Sequence, residues 1–203
     1  MEKNGTKQKT VFVVGLGNQG DKYQNTPHNA GFIAVDQFAK RFEFPDFEMR
    51  PDGILIATKE IGDKKIILAK PQMLMNNSGK ALVKLFNYRK IRQKKSWPNL
   101  WVVNDDLDIL LGKIKVSQNR GAAGHKGVQS IIDYLKTKNF VRFRVGIAPQ
   151  TSAAKKIPTE KFVLKKIPSG ELDEFTKTAN LTISAIETAL TQGIEKAMTE
   201  YNQ

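Results

Sequence analysis

Residues 14–31 read VGLGNQGDKYQNTPHNAG, a glycine-rich turn that leaves the apolar run Thr10–Val14 and closes just past His28, one of only two histidines in the chain. Gly15, Gly17 and Gly20 spell G-x-G-x-x-G behind a strand, which is the dinucleotide fingerprint on paper. A dinucleotide site asks for more: a helix opening at the third glycine with its amides on the pyrophosphate, then a second strand bringing an acid to the ribose. Neither follows. Asp21, Lys22, Asn25, Thr26 and Pro27 continue as a turn-rich polar run, the helical period begins only near Asn29, and no strand-like run comes before Ile54. The stretch is therefore a loop at a strand's carboxyl end that holds Asn18 and brings His28 back near it, and such loops carry the chemistry of α/β folds.

Outward from this loop, helices and strands alternate. Phe32, Ile33, Val35, Phe38, Ala39 and Phe42 recur at helical spacing over Asn29–Phe42, and Ile54–Ile61 with Lys64–Ala69 reads as a hairpin around Gly62-Asp63. PQMLMNNSG (71–79) leads into a helix from Ser78 to Tyr88, and the basic connector Arg89–Asn99, closed by Pro98, precedes a strand at Leu100–Val103. That strand delivers Asn104, Asp105, Asp106 and Asp108 at its carboxyl end. Lys113–Ser117 is strand-like, Gln118–Gly127 is a glycine-rich loop, and Val128–Leu135 is helical. FVRFRVGI (140–147) alternates, with Arg142 and Arg144 opposite Val141, Phe143 and Val145. Helices over Thr159–Lys165 and from Ser169 to about Leu190 close the chain. The expected fold is α/β: one domain over residues 1–203, with a mixed, mostly parallel sheet sandwiched between helices. Residues 1–9 read as flexible, and 148–167 as a segment able to move as a lid.

Bulk properties narrow the function. No apolar run reaches the roughly 18 to 20 residues of a membrane span, the N-terminus has no signal-peptide core, and cysteine is absent. A cytoplasmic setting follows as the default, with no disulfide and no thiolate metal site. The net charge of +13 is concentrated: Lys113–Lys166 holds 13 Lys plus Arg against Asp133 and Glu160, while the remainder is nearly balanced. Charge gathered in this way points to a polyanion, and without a strongly amphipathic basic helix nucleic acid is favoured over a membrane.

Asn18, His28, Asn76 and Asp105 all lie in Gly/Asn-rich loops after apolar strands. Gathered by one sheet, they supply an imidazole, a carboxylate to orient it and two amides able to bind a carbonyl or a water. No G-x-S-x-G is present to provide a nucleophile, so the base would activate water. Individually, a loop Asn is more often a turn or cap, and a loop His is often merely exposed. Asp105, Asp106 and Asp108 could instead hold Mg²⁺ for phosphodiester cleavage, but period two sets Asp105 opposite the other two, and further acidic ligands are not apparent.

In order and spacing, GLGNQG, Tyr23, HNAGF, MLMNNSGKAL, NDDLD, GHKG and RFRVGI resemble the bacterial-type peptidyl-tRNA hydrolase family, over roughly Val11–Ala197. The resemblance implies a monomeric α/β enzyme without metal or cofactor that cleaves the ester joining a peptide to the terminal ribose of tRNA. It further implies His28 as general base, Asp105 as its partner, Asn18 and Asn76 near the ester and peptide, Met75 lining the peptide groove and Tyr23 by the scissile end. Three departures stand out. Gln19 replaces a proline, Lys126 replaces the asparagine of GHNG in the substrate site, and Ser117 replaces a lysine that clamps the tRNA 5′ phosphate with the arginine matched here by Arg144. Lys115, on the same strand face, is expected to take over from that lysine. Lys126 and Gln19 leave room for an alternative, a non-catalytic RNA-binding relative of the same fold.

Overall fold

The computed structural model describes residues 9–89, 95–149 and 158–202. Seven strands form one sheet in the order β2-β3-β4-β1-β5-β7-β6. These are β1 (Lys9–Gly15), β2 (Glu48–Met49), β3 (Ile54–Ile61), β4 (Lys64–Pro71), β5 (Trp97–Leu110), β6 (Ile114–Gln118) and β7 (Phe140–Ala148). The four central strands β4, β1, β5 and β7 run parallel, whereas β2, β3 and β6 add antiparallel edges. The mixed sheet with a parallel centre agrees with expectation, as does the β3–β4 hairpin, which closes on Ile61↔Lys64 with Gly62 at φ 60°. Positive φ suits a two-residue turn whose twist must match that of its strands.

Helices cover both faces. Val11 and Val13 of β1, Trp101 and Val103 of β5, and Val141, Phe143 and Val145 of β7 pack with α1 (Ala30–Arg41), α5 (Leu172–Thr191) and α6 (Ile194–Tyr201). The alternate residues Phe12, Val14, Leu100 and Val102 pack with α2 (Ser78–Tyr88) and α3 (Lys126–Leu135). Period-two alternation on buried strands thus divides one sheet between two cores. A single turn, α4 (Thr159–Phe162), lies beyond β7. No helix among the described residues is long and apolar enough to cross a membrane.

Several boundaries differ from expectation. Lys9, placed in the flexible lead, is paired with Lys64 in β1, while the rest of that lead and the centre of the expected lid lie outside the described residues. β5 opens at Trp97 and runs to Leu110, so Pro98 sits inside the strand, at a register shift, rather than closing a connector. Proline lacks an N–H and is tolerated at such an irregularity. Asn104–Asp108 consequently belong to β5 itself, past the point where its neighbour β1 stops at Gly15. α3 starts at Lys126, and α6 follows Gly193 at φ 99° as a separate helix that periodicity up to Leu190 did not reveal.

The glycines of the opening loop serve packing. A Cβ on Gly31 would lie 2.3 Å from Leu16 N and from Val103 O, and one on Gly15 would lie 2.3 Å from Gly31 O. Backbone bonds Leu16 N–H to Val103 O (2.9 Å) and Phe32 N–H to Leu16 O (3.2 Å) fasten the same crossing. The start of α1 is thereby pressed onto the ends of β1 and β5, which carries His28 to the overhang of β5 where Asp105 stands.

Candidate active site

His28 occupies a 3-10 turn, Pro27–Asn29, that leads directly into α1. Its backbone N–H donates to Val163 O, 2.9 Å away, at the end of α4. The ring Nδ1 lies 3.0 Å from Asp105 Oδ1, and Asp105 is 4% exposed. With Nδ1 bound to a carboxylate, the ring's Nε2 is the nitrogen left to a cavity of about 580 Å³ that His28 helps to line. A second imidazole meets the same oxygen: His125 Nε2 is 2.9 Å from Asp105 Oδ1. Burial pushes the Asp105 carboxyl up, but the two imidazoles on its Oδ1, His125 first and then His28, outweigh it, holding the group well below the usual carboxylate range.

Asn18 is fixed from both ends. Its Oδ1 accepts the Met75 N–H at 2.9 Å, while its backbone N–H donates to Asn29 Oδ1 at 2.8 Å and its carbonyl accepts from Asn29 Nδ2 at 3.1 Å. A backbone N–H on Oδ1 identifies the oxygen of the amide, so Nδ2 is the end left to donate. Met75 and Asn76 lie in the 3-10 turn before α2, Met75 buried and Asn76 exposed at the rim. Gly127 accommodates Met75, whose Sδ would lie 2.5 Å from a Cβ at that position. Half-buried Tyr23 and exposed Lys126 complete the wall, together with Thr159, Glu160, Val163 and Leu164 of the α4 segment.

All seven residues expected to act on substrate, His28, Asp105, Asn18, Tyr23, Met75, Asn76 and Lys126, therefore line one cavity. Lys126 stands at its mouth with its ammonium 2.7 Å from Glu160 Oε1. Lys115 and Arg144 line a second cavity of about 560 Å³ with Ser117, Arg120 and Arg142, and Ala123 borders both cavities. Lys115 is the cross-strand partner of Arg144, as Ser117 is of Arg142. Asp106 lines the first cavity with Asp105 and Asp108 but is paired with the arginines of the second: Arg144 Nε donates to its Oδ2 at 2.7 Å, and Arg142 Nη2 lies 3.6 Å from the same atom. That carboxylate is thus committed to two guanidinium groups, as Asp105 is to two imidazoles, which leaves the acidic cluster read as a Mg²⁺ alternative with two of its three carboxylates engaged.

Sequence reasoning missed His125, Asn29 and the buried Arg142. Arg142 sits wholly inside, its guanidinium donating to Asn104 Oδ1 and Gly121 O, and burial with Arg144 nearby pulls it down to about 10 against the opposing pull of Asp106 and Asp105. By sequence His125 falls inside the loop Gln118–Gly127, because the helical period begins only at Val128 and histidine is not among the usual N-cap residues. His28 Nδ1, Asp105 and His125 Nε2 bring ligand-type atoms within 4.8 Å of one another. To bind a cation there, His125 would have to turn a lone pair toward it and release the helix it caps.

Fold and site together define a class: an α/β protein in which a buried carboxylate holds an imidazole at the wall of a polar cavity. The model for the family described as peptidyl-tRNA hydrolase matches residues 12–203. Peptidyl-tRNA hydrolase of Carboxydothermus hydrogenoformans is 38% identical over 95% of this chain and 98% of its own length, and that of Bacillus subtilis is 34% identical over 95% and 98%. The crystal structure of peptidyl-tRNA hydrolase from Acinetobacter baumannii superimposes with a TM-score of 0.82 at 27% identity, covering 96% of this chain and 95% of that one. The chain belongs to the peptidyl-tRNA hydrolase family.

Proposed function

We propose that this protein hydrolyses the ester between peptide and tRNA in peptidyl-tRNA, releasing a free peptide carboxylate and a tRNA ready for reuse. The observation that carries the proposal is the His28 Nδ1–Asp105 Oδ1 contact at 3.0 Å, with Nε2 left to the cavity. His28 Nε2 takes a proton from water as the oxygen adds to the ester carbonyl. Asn18 Nδ2, its orientation set by the Met75 N–H on Oδ1, is the available donor to the oxyanion. Collapse of the tetrahedral adduct expels the ribose oxygen, which recovers a proton from the imidazolium. Asp105 stabilises that imidazolium without accepting the proton itself. Met75, Asn76, Tyr23 and Lys126 line the space left for the peptide and the terminal nucleotide. No step requires a metal or a cofactor.

The second cavity supports acceptor-stem binding. A tRNA carries its 5′ phosphate beside the base of its single-stranded 3′ end, and the basic cavity adjoins the candidate site at Ala123. Lys115 and Arg144 suit that phosphate, Arg120 adds positive charge, and the buried Ser117 Oγ has no hydrogen-bond partner among the described residues. Backbone contacts of this kind give affinity with little sequence discrimination. The protein is proposed to act as a monomer.

The deciding assay is turnover of N-blocked aminoacyl-tRNA in the presence of a chelator. Parent protein is expected to turn over. His28→Ala should lose about 10²- to 10⁴-fold in kcat while retaining tRNA affinity, and parental turnover by that variant would overturn the assignment. Lys126→Asn, run alongside, measures what the ammonium at the cavity mouth contributes.

A further inference from the structure

Both ring nitrogens of His125 are committed, and the commitments differ in kind. Nδ1 accepts the backbone N–H of Gly127 at 3.1 Å and of Val128 at 3.3 Å, which makes the side chain the N-cap of α3. A nitrogen that accepts two backbone donors carries no proton, so the ring proton lies on Nε2. At 2.9 Å from Asp105 Oδ1, Nε2 therefore donates. The helix start thereby sets the tautomer. Gly127 leaves the ring its space, because a Cβ there would lie 3.1 Å from His125 Cε1.

His28 and His125 converge on one carboxylate oxygen, with ring centroids 5.0 Å apart. A carboxylate held by a single donor can rotate about its side-chain bonds. Two donors arriving from the starts of α1 and α3 restrict it to one orientation, and at 4% exposure water has little access to compete.

We infer that His125 is a positioning residue for the proposed hydrolysis: the N-cap of α3 locks its tautomer, and its Nε2–H holds Asp105 in the orientation that receives His28 Nδ1–H. The inference rests on His28 acting as the base, and it adds a residue to that assignment. α3 is by this means coupled to the base, although none of its own residues need touch the reacting atoms.

Two substitutions separate capping from positioning. Asn places its Oδ1 near the site of Nδ1, so His125→Asn keeps the cap but falls short of Asp105. Gln carries an amide nitrogen to the site of Nε2, so His125→Gln keeps the donor and gives up the cap. His125→Asn is expected to melt near the parent yet lose about 10- to 100-fold in kcat on N-blocked aminoacyl-tRNA, with KM within about twofold. His125→Gln is expected to melt about 2 to 4 °C lower and to retain most of its kcat. Activity that follows melting temperature, with His125→Asn the better enzyme, overturns the inference.

Nitrogen NMR of the imidazoles supplies a readout independent of turnover. The parent should show His125 as the neutral Nε2–H tautomer, and the low-field Nδ1–H proton of His28 should persist in His125→Gln and disappear in His125→Asn. A proton on His125 Nδ1, or an unchanged His28 signal in both variants, also counts against positioning. An inactive parent with the predicted tautomers would instead remove the proposed function and leave the hydrogen-bonded array standing.

Discussion

Asp105 concentrates the chemistry of this protein in one oxygen atom. Its carboxyl is buried, held below the ordinary range, and bound by two imidazoles that arrive from distant parts of the chain. The depressed value has a defined consequence for stability. Above the unfolded value of 3.8 the group is ionised in both states, and its contacts contribute fully. As pH falls below that point, the unfolded chain takes up the proton first, and the contribution is lost progressively toward the folded value. Asp105→Asn should therefore flatten the fall in unfolding free energy between about pH 4 and pH 2, as measured by denaturant titration against the parent. It should also reduce turnover by about 10²-fold or more, since a neutral amide cannot stabilise the imidazolium. An equally steep acid limb in the variant would show that other carboxylates dominate.

Among the secondary-structure elements, the site depends on backbones brought unusually close. The MNNSG stretch ends at Gly79, where a Cβ would lie 2.1 Å from Ser130 O, and the Gly79 N–H donates to Ser130 Oγ at 3.1 Å. α2 can dock on α3 only because this residue has no side chain, and the same docking sets Met75 against Gly127 beside the N-cap of α3. Gly79→Val is expected to cost about 1 to 3 kcal/mol in a chemical melt and to lower kcat as Met75 and His125 shift together. Parental stability would mean that the helices have slack between them. The other essential crossing, Gly31 against Leu16 and Val103, explains glycines that imitate a nucleotide motif: their smallness seats a helix on strand ends, and His28 follows.

At the scale of the whole molecule, two cavities of similar size divide between them the tasks proposed for the protein, the apposed histidines in one and the basic residues in the other. Lys115 is the cleaner probe of the second. Arg144 also binds the buried Asp106, so reversing its charge would set two carboxylates together, whereas Lys115 is exposed on its strand. Lys115→Glu is expected to raise KM for full-length substrate about tenfold and to reduce the slope of log affinity against log salt by about 1. Hydrolysis of a short aminoacyl-nucleotide ester should stay within about twofold of the parent. Equal losses on both substrates would remove Lys115 from phosphate recognition. The α4 segment is tied to the main body on either side of the base, through His28 N–H to Val163 O and Ile167 N–H to Asn25 O, with Lys126 and Glu160 paired across the cavity mouth. A lid motion would have to begin before Val163.

Much of this was already present in the order of residues. Alternation in FVRFRVGI, the helical period after Asn29, the turn residues at Gly62-Asp63 and the separated motifs together determined the α/β class, the hairpin, every helix but α6 and seven of the residues that line the candidate site. Such features are local, because propensity and periodicity are properties of neighbours along the chain. The continuation of β5 past its partner, the commitment of Asp106 to Arg144 and Arg142, and the meeting of His28 and His125 on one oxygen were settled only by the tertiary structure. Each joins residues from separate segments of the chain, and nothing in the spacing of a sequence records which side chains a sheet and its helices will bring within 3 Å of one another.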